Sequence, residues 1–498
     1  MLVAQADESG VLHPLESLQM PVNLGKCTFT RGSIDQATIE ECVAALRGFL
    51  RVLREYRLDR PGGRVRAVAT SAVREASNRD AFIDRIYIAT GIAVEIMDEA
   101  EENRFMFLSA KPYLDAPQKD GHKLTLIVEV GGGSTEMLVV RNGRVISSYS
   151  FRLGSFRMLG ALEEYSRPDI EHLDLFETQI HRTISTVRRM VNFEGQPKLL
   201  ALGGDLRFAA AELLPEWNRR VLARLPVSSL SRLSKRIIRE SADSLVKQYR
   251  LSYTDAETLG PALLTNVRLA TALGIKNIYV TPISMRDGVL SEMAGERRWS
   301  EEFREQIISS ALELGRKYNF DQRHAEHVAG LALRIFGAMS EEHGLGPRHE
   351  VLLKTAGLLH EIGLYVGTRS HHKHSLYLIR NSNLFGLGPK DVLQTGLVAR
   401  YHRRAMPQPT HEGYGTLDRE SRIEVLKMAA ILRVADALDR SATQRVHSLE
   451  ITVEPRRLIL TVRNVADLTL EQVAVERKSD LFGMVYGRDV VLRKGRAT

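Results

Sequence analysis

A chain of 498 residues is too long for one hydrophobic core and implies several domains. With 44% hydrophobic and 26% charged residues it is neither disordered nor fibrous, and two cysteines, Cys27 and Cys42, exclude a disulfide framework. The net charge of +8 favours an anionic partner, whether nucleic acid, nucleotide, inorganic polyphosphate or acidic lipid head group.

The N-terminal MLVAQADESG lacks the charged-then-apolar order of a signal peptide, and the apolar run LKMAAILRVADAL carries Lys427, Arg433 and Asp436 and is too short to span a bilayer. A cytoplasmic protein without transmembrane segments is expected. In chain order, MLVA reads as a strand, followed by a turn at Gly10, VLHPLESLQMPVNLG, the helix IDQATIEECVAALRGFLRVLREY and the strand RVRAVATSA. The same succession then recurs. LTLIVEV, EMLVV and RVISSYSFRLG read as strands, with Asn142-Gly143 as the strongest hairpin signal, before the helix DIEHLDLFETQIHRTISTVRRMV and the strand PKLLALGG. Met1-Leu2-Val3-Ala4 overlays Met137-Leu138-Val139-Val140, and Leu24-Gly25 falls where Leu153-Gly154 falls. The repeat therefore puts the first copy's counterpart of VEVGGGSTE ahead of Met1, so the first copy is expected to lack its N-terminal strand and loop.

RVLARLPVSSLSRLSKRIIRE reads as a basic helical stretch, a solvated face or a docking surface. RRWSEEFREQ is the expected linker into a region of long helical periodicities rich in histidine, in which SRIE, Ser421 to Glu424, reads as a capping box. After Arg440, SLEITVEP, RLILTVRN and GMVYGRDVVLRK read as strands of a small closing domain.

The stretch IVEVGGGSTEMLVV, residues 127–140, carries the chemistry. Glycine permits positive φ and close approach, and successive N–H groups in such a turn form a concavity that binds anions. Ser134 and Thr135 add hydroxyls, while Glu136 repels phosphate unless a cation or water lies between. The alternative is a tight glycine hairpin that binds nothing.

With this loop and the repeat in view, the chain resembles the exopolyphosphatase and guanosine pentaphosphate phosphohydrolase (Ppx/GppA) family in its long form. RAVATSAVREASN at 66–78, AEENR at 100–104, VGGGSTE at 130–136 and SMRDGVL at 284–290 resemble that family's segments in order. HAEHVAGLAL, LLHEIG, HKHS, YHRR and LRVADALDRS follow as in its long members. The resemblance implies an α/β chain of two actin-like (ribonuclease-H-like) domains, at 1–122 and 123–299, the first truncated. An all-α HD-like domain at 300–440 and a small α+β domain at 441–498 complete it, extending the substrate channel and a homodimer interface.

It further implies release of terminal orthophosphate from inorganic polyphosphate by Mg²⁺-dependent attack of water, with no specific nucleic acid partner. Hydrolysis of guanosine pentaphosphate and a non-catalytic polyphosphate or nucleotide sensor are the alternatives. Glu102 matches the catalytic carboxylate, joined by Glu136. Arg74, Gly131, Gly132, Gly133, Ser134, Gly203 and Gly204 would bind phosphate, and Glu129 and Glu136 would hold Mg²⁺. Glu129 stands where the family has Asp, LGGD at 202–205 replaces a neutral glycine turn, and the N-terminal phosphate clamp is the element that the repeat places before Met1. The missing clamp puts turnover in question. His324, His360, Glu361 and Asp436 occupy the H, HD and D positions of a metal-dependent helical phosphohydrolase domain, with His374 and His402 as added ligands. A second divalent metal follows, or a degenerate domain that only forms a basic tunnel.

Overall fold

The computed structural model describes the chain except residues 8–11, 59–62, 115–123, 165–177, 179, 187–188, 190–195, 296–298, 404, 464 and 496–498. It divides into two compact units, Met1–Arg298 and Trp299–Thr498.

The first unit begins with an antiparallel pair, β1 (Leu2–Ala6) and β2 (Leu12–Ser17), then α1 (Leu24–Arg31) and α2 (Gln36–Glu55). Asp35 caps α2 by accepting from the Thr38 amide, and Ile39 and Val43 bury against Phe82 and Ile86 of α4 (Arg79–Thr90). β3 (Ala67–Ala69) pairs in parallel with β4 (Val94–Ile96). The strand expected over RVRAVATSA is thus only three residues long, because Ser71–Arg74 turn into the short helix α3. Then comes α5 (Glu99–Ala110), whose N-cap Asp98 accepts from the Glu101 amide. Among the described residues no strand joins the β1–β2 pair to the β3–β4 pair.

β5 (Leu124–Val130), β6 (Thr135–Arg141), β7 (Arg144–Phe151), β8 (Lys198–Leu202), β9 (Ala223–Pro226) and β10 (Asn277–Val280) form one sheet in the order β7-β6-β5-β8-β10-β9. β5 is apolar at nearly every position because it is interior, antiparallel to β6 and parallel to β8, with both faces covered. The Asn142-Gly143 turn closes the β6–β7 hairpin with positive φ at both residues. RVLARLP, expected as helix, contains β9, where the alternating burial of Ala223 and Leu225 marks a strand; the helix begins only at Val227. Of the helix expected over 169–191, most lies outside the described residues.

The second unit is mainly helical. Its first helix, Glu301–Lys317, starts inside the expected linker, capped by Ser300. The helix Arg419–Leu438 is buried on all sides from Met428 to Leu438. Its cap is Asp418, which accepts from the Ser421 amide at 2.8 Å, so the capping box expected at Ser421–Glu424 lies one turn inside the helix. A small sheet closes the unit. β11 (Leu449–Val453) runs antiparallel to β12 (Arg457–Val462), which is parallel to β13 (Asp489–Lys494). GMVY, expected as strand, completes the helix Asp480–Tyr486.

Candidate active site and histidine cluster

The β5–β6 register sets Glu129 directly opposite Glu136, and the β6–β7 register sets Glu136 opposite Ser150. Cross-strand partners share a face of the sheet, so two carboxylates and a hydroxyl form one row. The Ser150 hydroxyl donates to Glu136 Oε1 at 2.8 Å, while Glu136 Oε2 and Glu129 Oε2 are buried with no hydrogen-bond partner among the described residues. Like charges directly opposite in a ladder destabilise it. Burial pushes Glu129 up to about 7, against the pull of Arg207. Burial likewise pushes Glu136 up to about 8, against the hydroxyls of Ser150 and Ser134.

Residues 131–134 follow β5 directly. Gly131 N–H donates to the Ser134 carbonyl at 2.8 Å, closing the turn. The amides of Gly132, Gly133 and Ser134 make no hydrogen bond among the described residues, and in sequence they lie beside the carboxylate row. None of the three glycines has positive φ; among the candidate phosphate-binding glycines only Gly203 does, at 124°. The reason for glycine here is close packing. A Cβ on Gly132 would lie 2.8 Å from the Phe156 ring, and one on Gly133 would overlap the ring of Phe29 on α1. A Cβ on Gly154 would overlap the backbone of Gly132 and Gly133. The loop is thus wedged between α1 and α6 (Ser155–Glu164), whose first amides, Ser155 and Phe156, donate to the Gly131 and Gly132 carbonyls. Arg157 fixes it further. Its Nε donates to the Gly133 carbonyl at 2.6 Å, its guanidinium lies 4.6 Å above Phe29, and it pairs with Glu75 at the end of α3.

Arg74 and Glu102 come from α3 and α5. Glu102 sits in an acidic first turn, Glu99-Ala100-Glu101-Glu102, yet is only 4% exposed, because α5 packs on the helix Met285–Ala294. The Ser109 hydroxyl donates to the Ser284 carbonyl at 2.9 Å and accepts from the Gly288 amide, and Arg104 pairs with Glu292. Arg74 Nη1 pairs with Glu102 and donates to the Met97 carbonyl at 2.7 Å; its Nε and Nη2 make no hydrogen bond among the described residues. Burial pushes the Glu102 carboxyl up, with Arg74 opposing, and the Glu102 charge in turn raises Glu129 and Glu136. These four residues therefore share one electrostatic site.

Gly203 caps the helix Gly204–Leu213. Asp205 in its first turn keeps part of its surface exposed, but burial of its carboxyl, reinforced by the charge of Asp255, pushes it up to about 7. Arg207, which sequence reasoning missed although it lies two residues beyond Asp205, donates to the Ile283 carbonyl at 3.0 Å and opposes the upward shifts of Glu129 and Asp205. Ser150, Arg157 and Phe29 were missed as well, and only the strand register and the helix packing bring them in.

In the helical unit two groups of ligand-type side chains gather: His324, His360 and Asp436, and Glu361, His371 and His402. His374 joins neither, and His371 stands in its place. The run HHKH offers three histidines within one helical turn, and spacing alone does not select the one that faces inward.

A glycine loop, a carboxylate row and an arginine–glutamate pair on a mixed α/β scaffold define a protein that handles phosphoryl groups. The chain belongs to the Ppx/GppA phosphatase family, which matches residues 2–297, and residues 307–479 match that family's domain III. A curated relative, guanosine-5'-triphosphate,3'-diphosphate pyrophosphatase of Photobacterium profundum, is 24% identical over 413 residues, covering 81% of this chain and 78% of that protein. Among solved structures, an exopolyphosphatase from Cytophaga hutchinsonii aligns with a TM-score of 0.52 at 21% identity, over 59% of this chain and 93% of that one. The Aquifex aeolicus member of the family aligns with a TM-score of 0.47 at 21% identity, over 59% and 94%. Among the described residues no helix is long and apolar enough to cross a membrane.

Proposed function

We propose that the α/β unit releases terminal orthophosphate from inorganic polyphosphate by Mg²⁺-dependent attack of water. The observation that carries this reading is the opposed pair Glu129 and Glu136, each with a buried oxygen that has no partner among the described residues. Two such oxygens suit a hard divalent cation, so Glu129 and Glu136 would hold Mg²⁺, which when bound supplies charge neutralisation to phosphoryl oxygens.

The chain's own residues then divide the work. The amides of Gly132, Gly133 and Ser134 receive phosphate oxygens, and Arg74 adds Nε and Nη2 as a planar fork. Gly203 and Gly204 offer further amides at a helix start. Glu102, oriented by Arg74, takes the proton of the attacking water as the terminal phosphorus–oxygen bond breaks and the shortened chain leaves. Its upward shift makes it a stronger base than a free carboxylate.

Guanosine pentaphosphate is the second reading, favoured by the name of the Photobacterium relative. It presents the same terminal phosphoanhydride. The family resemblance also supports a cytoplasmic homodimer and an HD-like reading of the helical unit. Orthophosphate release should be followed from both substrates with Mg²⁺, beside Glu102→Gln. Release from the polymer that the variant abolishes supports the proposal, and release from the nucleotide alone moves it to the second reading. Binding of the polymer without any release identifies a sensor and overturns hydrolysis.

A further inference from the structure

The histidines of the helical unit have tautomers set by their surroundings. A carbonyl oxygen only accepts, so a ring nitrogen facing one carries the proton. His360 Nδ1 lies 2.7 Å from the Gly357 carbonyl, His402 Nδ1 2.6 Å from that of Ala399, and His371 Nδ1 3.2 Å from that of Thr368. His324 Nδ1 lies 2.8 Å from Asp439 Oδ2. Each neutral ring therefore turns a lone pair on Nε2 toward the others, the arrangement by which a second layer of acceptors orients metal-binding imidazoles.

Among the described residues no hydrogen-bond donor meets those lone pairs. His360 is fully buried and its Nε2 has no hydrogen-bond partner among the described residues. His371 Nε2 and His402 Nε2 are 3.3 Å apart, two acceptors facing each other. Asp436 Oδ1 is 3.7 Å from His360 Nε2 and 3.9 Å from His324 Nε2, too far for hydrogen bonds but suited to groups that share an ion. Lys478 pairs with the other oxygen of Asp436, which anchors the carboxylate and leaves Oδ1 turned inward. Glu361, assigned to the second group, also lies 3.8 Å from His324 Nε2 of the first and so sits between the two.

We propose that this unit binds two divalent transition-metal ions, one on His324, His360 and Asp436 and one on Glu361, His371 and His402. Imidazole with carboxylate selects zinc, manganese, iron or nickel over magnesium, so the centre differs in chemistry from the carboxylate row of the α/β unit. The inference does not rest on the phosphatase reading.

The test is elemental analysis of the full chain purified without chelator, followed by calorimetric titration of the metal-free protein with Zn²⁺. Two equivalents are expected. His371→Ala should retain the equivalent held by His324, His360 and Asp436, His360→Ala should lose that equivalent, and His374→Ala should retain both. Circular dichroism reports whether each variant folds, and the wild-type titration stands without them. Less than ~0.1 equivalent as purified with no uptake on titration overturns the proposal, since a preformed site of this kind binds tightly. A single equivalent, or loss of metal in His374→Ala with none in His371→Ala, overturns the two-ion assignment.

Discussion

Glu129 and Glu136 stand directly opposite one another in the antiparallel pairing of β5 and β6, each with one buried oxygen that finds no partner among the described residues. Without a cation, protonation is what relieves this opposition. The folded state holds these protons up to about 7 and about 8, whereas an ordinary carboxyl releases them near 4.5. Between those limits the folded state binds more protons than the unfolded one, so the stability these groups contribute is fully present below about 4.5 and is lost as pH rises through about 8. The urea midpoint of the metal-free protein should fall from about pH 5.5 to about pH 8.5, with a slope approaching ~1.4 kcal/mol per pH unit per carboxyl. Glu136→Gln should flatten the profile, and saturating Mg²⁺ should recover the stability lost at alkaline pH. A midpoint that rises with pH in Mg²⁺-free buffer would show that the two carboxyls do not titrate in this way.

Arg74 couples stability to chemistry. Removing it leaves Glu102 buried without its cation, so Arg74→Ala should cost about 3 kcal/mol near pH 8, toward the low end for breaking a buried pair. The cost should shrink as pH falls and the stranded carboxyl, already raised by burial, takes up a proton. Arg74→Lys keeps the charge but not the fork, and turnover should fall about 100-fold with little change in the unfolding midpoint. Steady-state rates beside denaturation curves separate the two effects, and equal turnover in Arg74→Lys would remove the guanidinium from the site.

Gly133 is glycine because of Phe29. Adding a methyl group forces the ring away or bends the loop, and Gly133→Ala should destabilise the protein by about 1–3 kcal/mol. Phe29→Leu introduced with it should recover much of that loss, since the smaller side chain makes room. Activity should not recover in step, because Arg157 loses the ring on which its guanidinium lies and with it part of its hold on the Gly133 carbonyl. A double-mutant cycle measures this, and strictly additive effects would show that the two residues do not share the space.

How much of this was legible in the sequence depends on which interactions set each feature. β5 and β6 were readable because their apolar runs and bounding glycines are local signals, and the glycine loop was found for the same reason. Of the two reasons for glycine there, positive φ and close approach, only the second holds, and the group that approaches is the ring of Phe29, 104 residues earlier. Glu102 lies in an acidic first turn and was picked out by family resemblance alone, since its burial depends on a helix some 180 residues later. The opposition of Glu129 and Glu136 follows from ladder register, and the choice of His371 over His374 from helix phase within a packed unit. At Asp418 two local signals competed: Ser421 and Glu424 satisfy the capping-box spacing, but the chain enters the helix one turn earlier, where Asp418 reaches the Ser421 amide.

Salt separates the two candidate substrates. A long polyanion lying along a basic surface displaces many condensed counterions, while a nucleotide displaces few, so the logarithm of the apparent affinity should fall steeply against the logarithm of salt only for the polymer. The chain's net charge of +8 makes such an extended contact physically reasonable beyond the catalytic row itself. With long-chain polyphosphate at sub-saturating concentration, raising salt from about 50 to about 200 mM should lower the rate by at least ~10-fold, as expected when several cations each neutralise a phosphate. Guanosine pentaphosphate should lose no more than a few-fold over the same range. The measurement is a pair of log-log plots of kcat/KM at constant free Mg²⁺. If both slopes are shallow, the site holds only the chain end, and the basic surface takes no part in recognising the polymer.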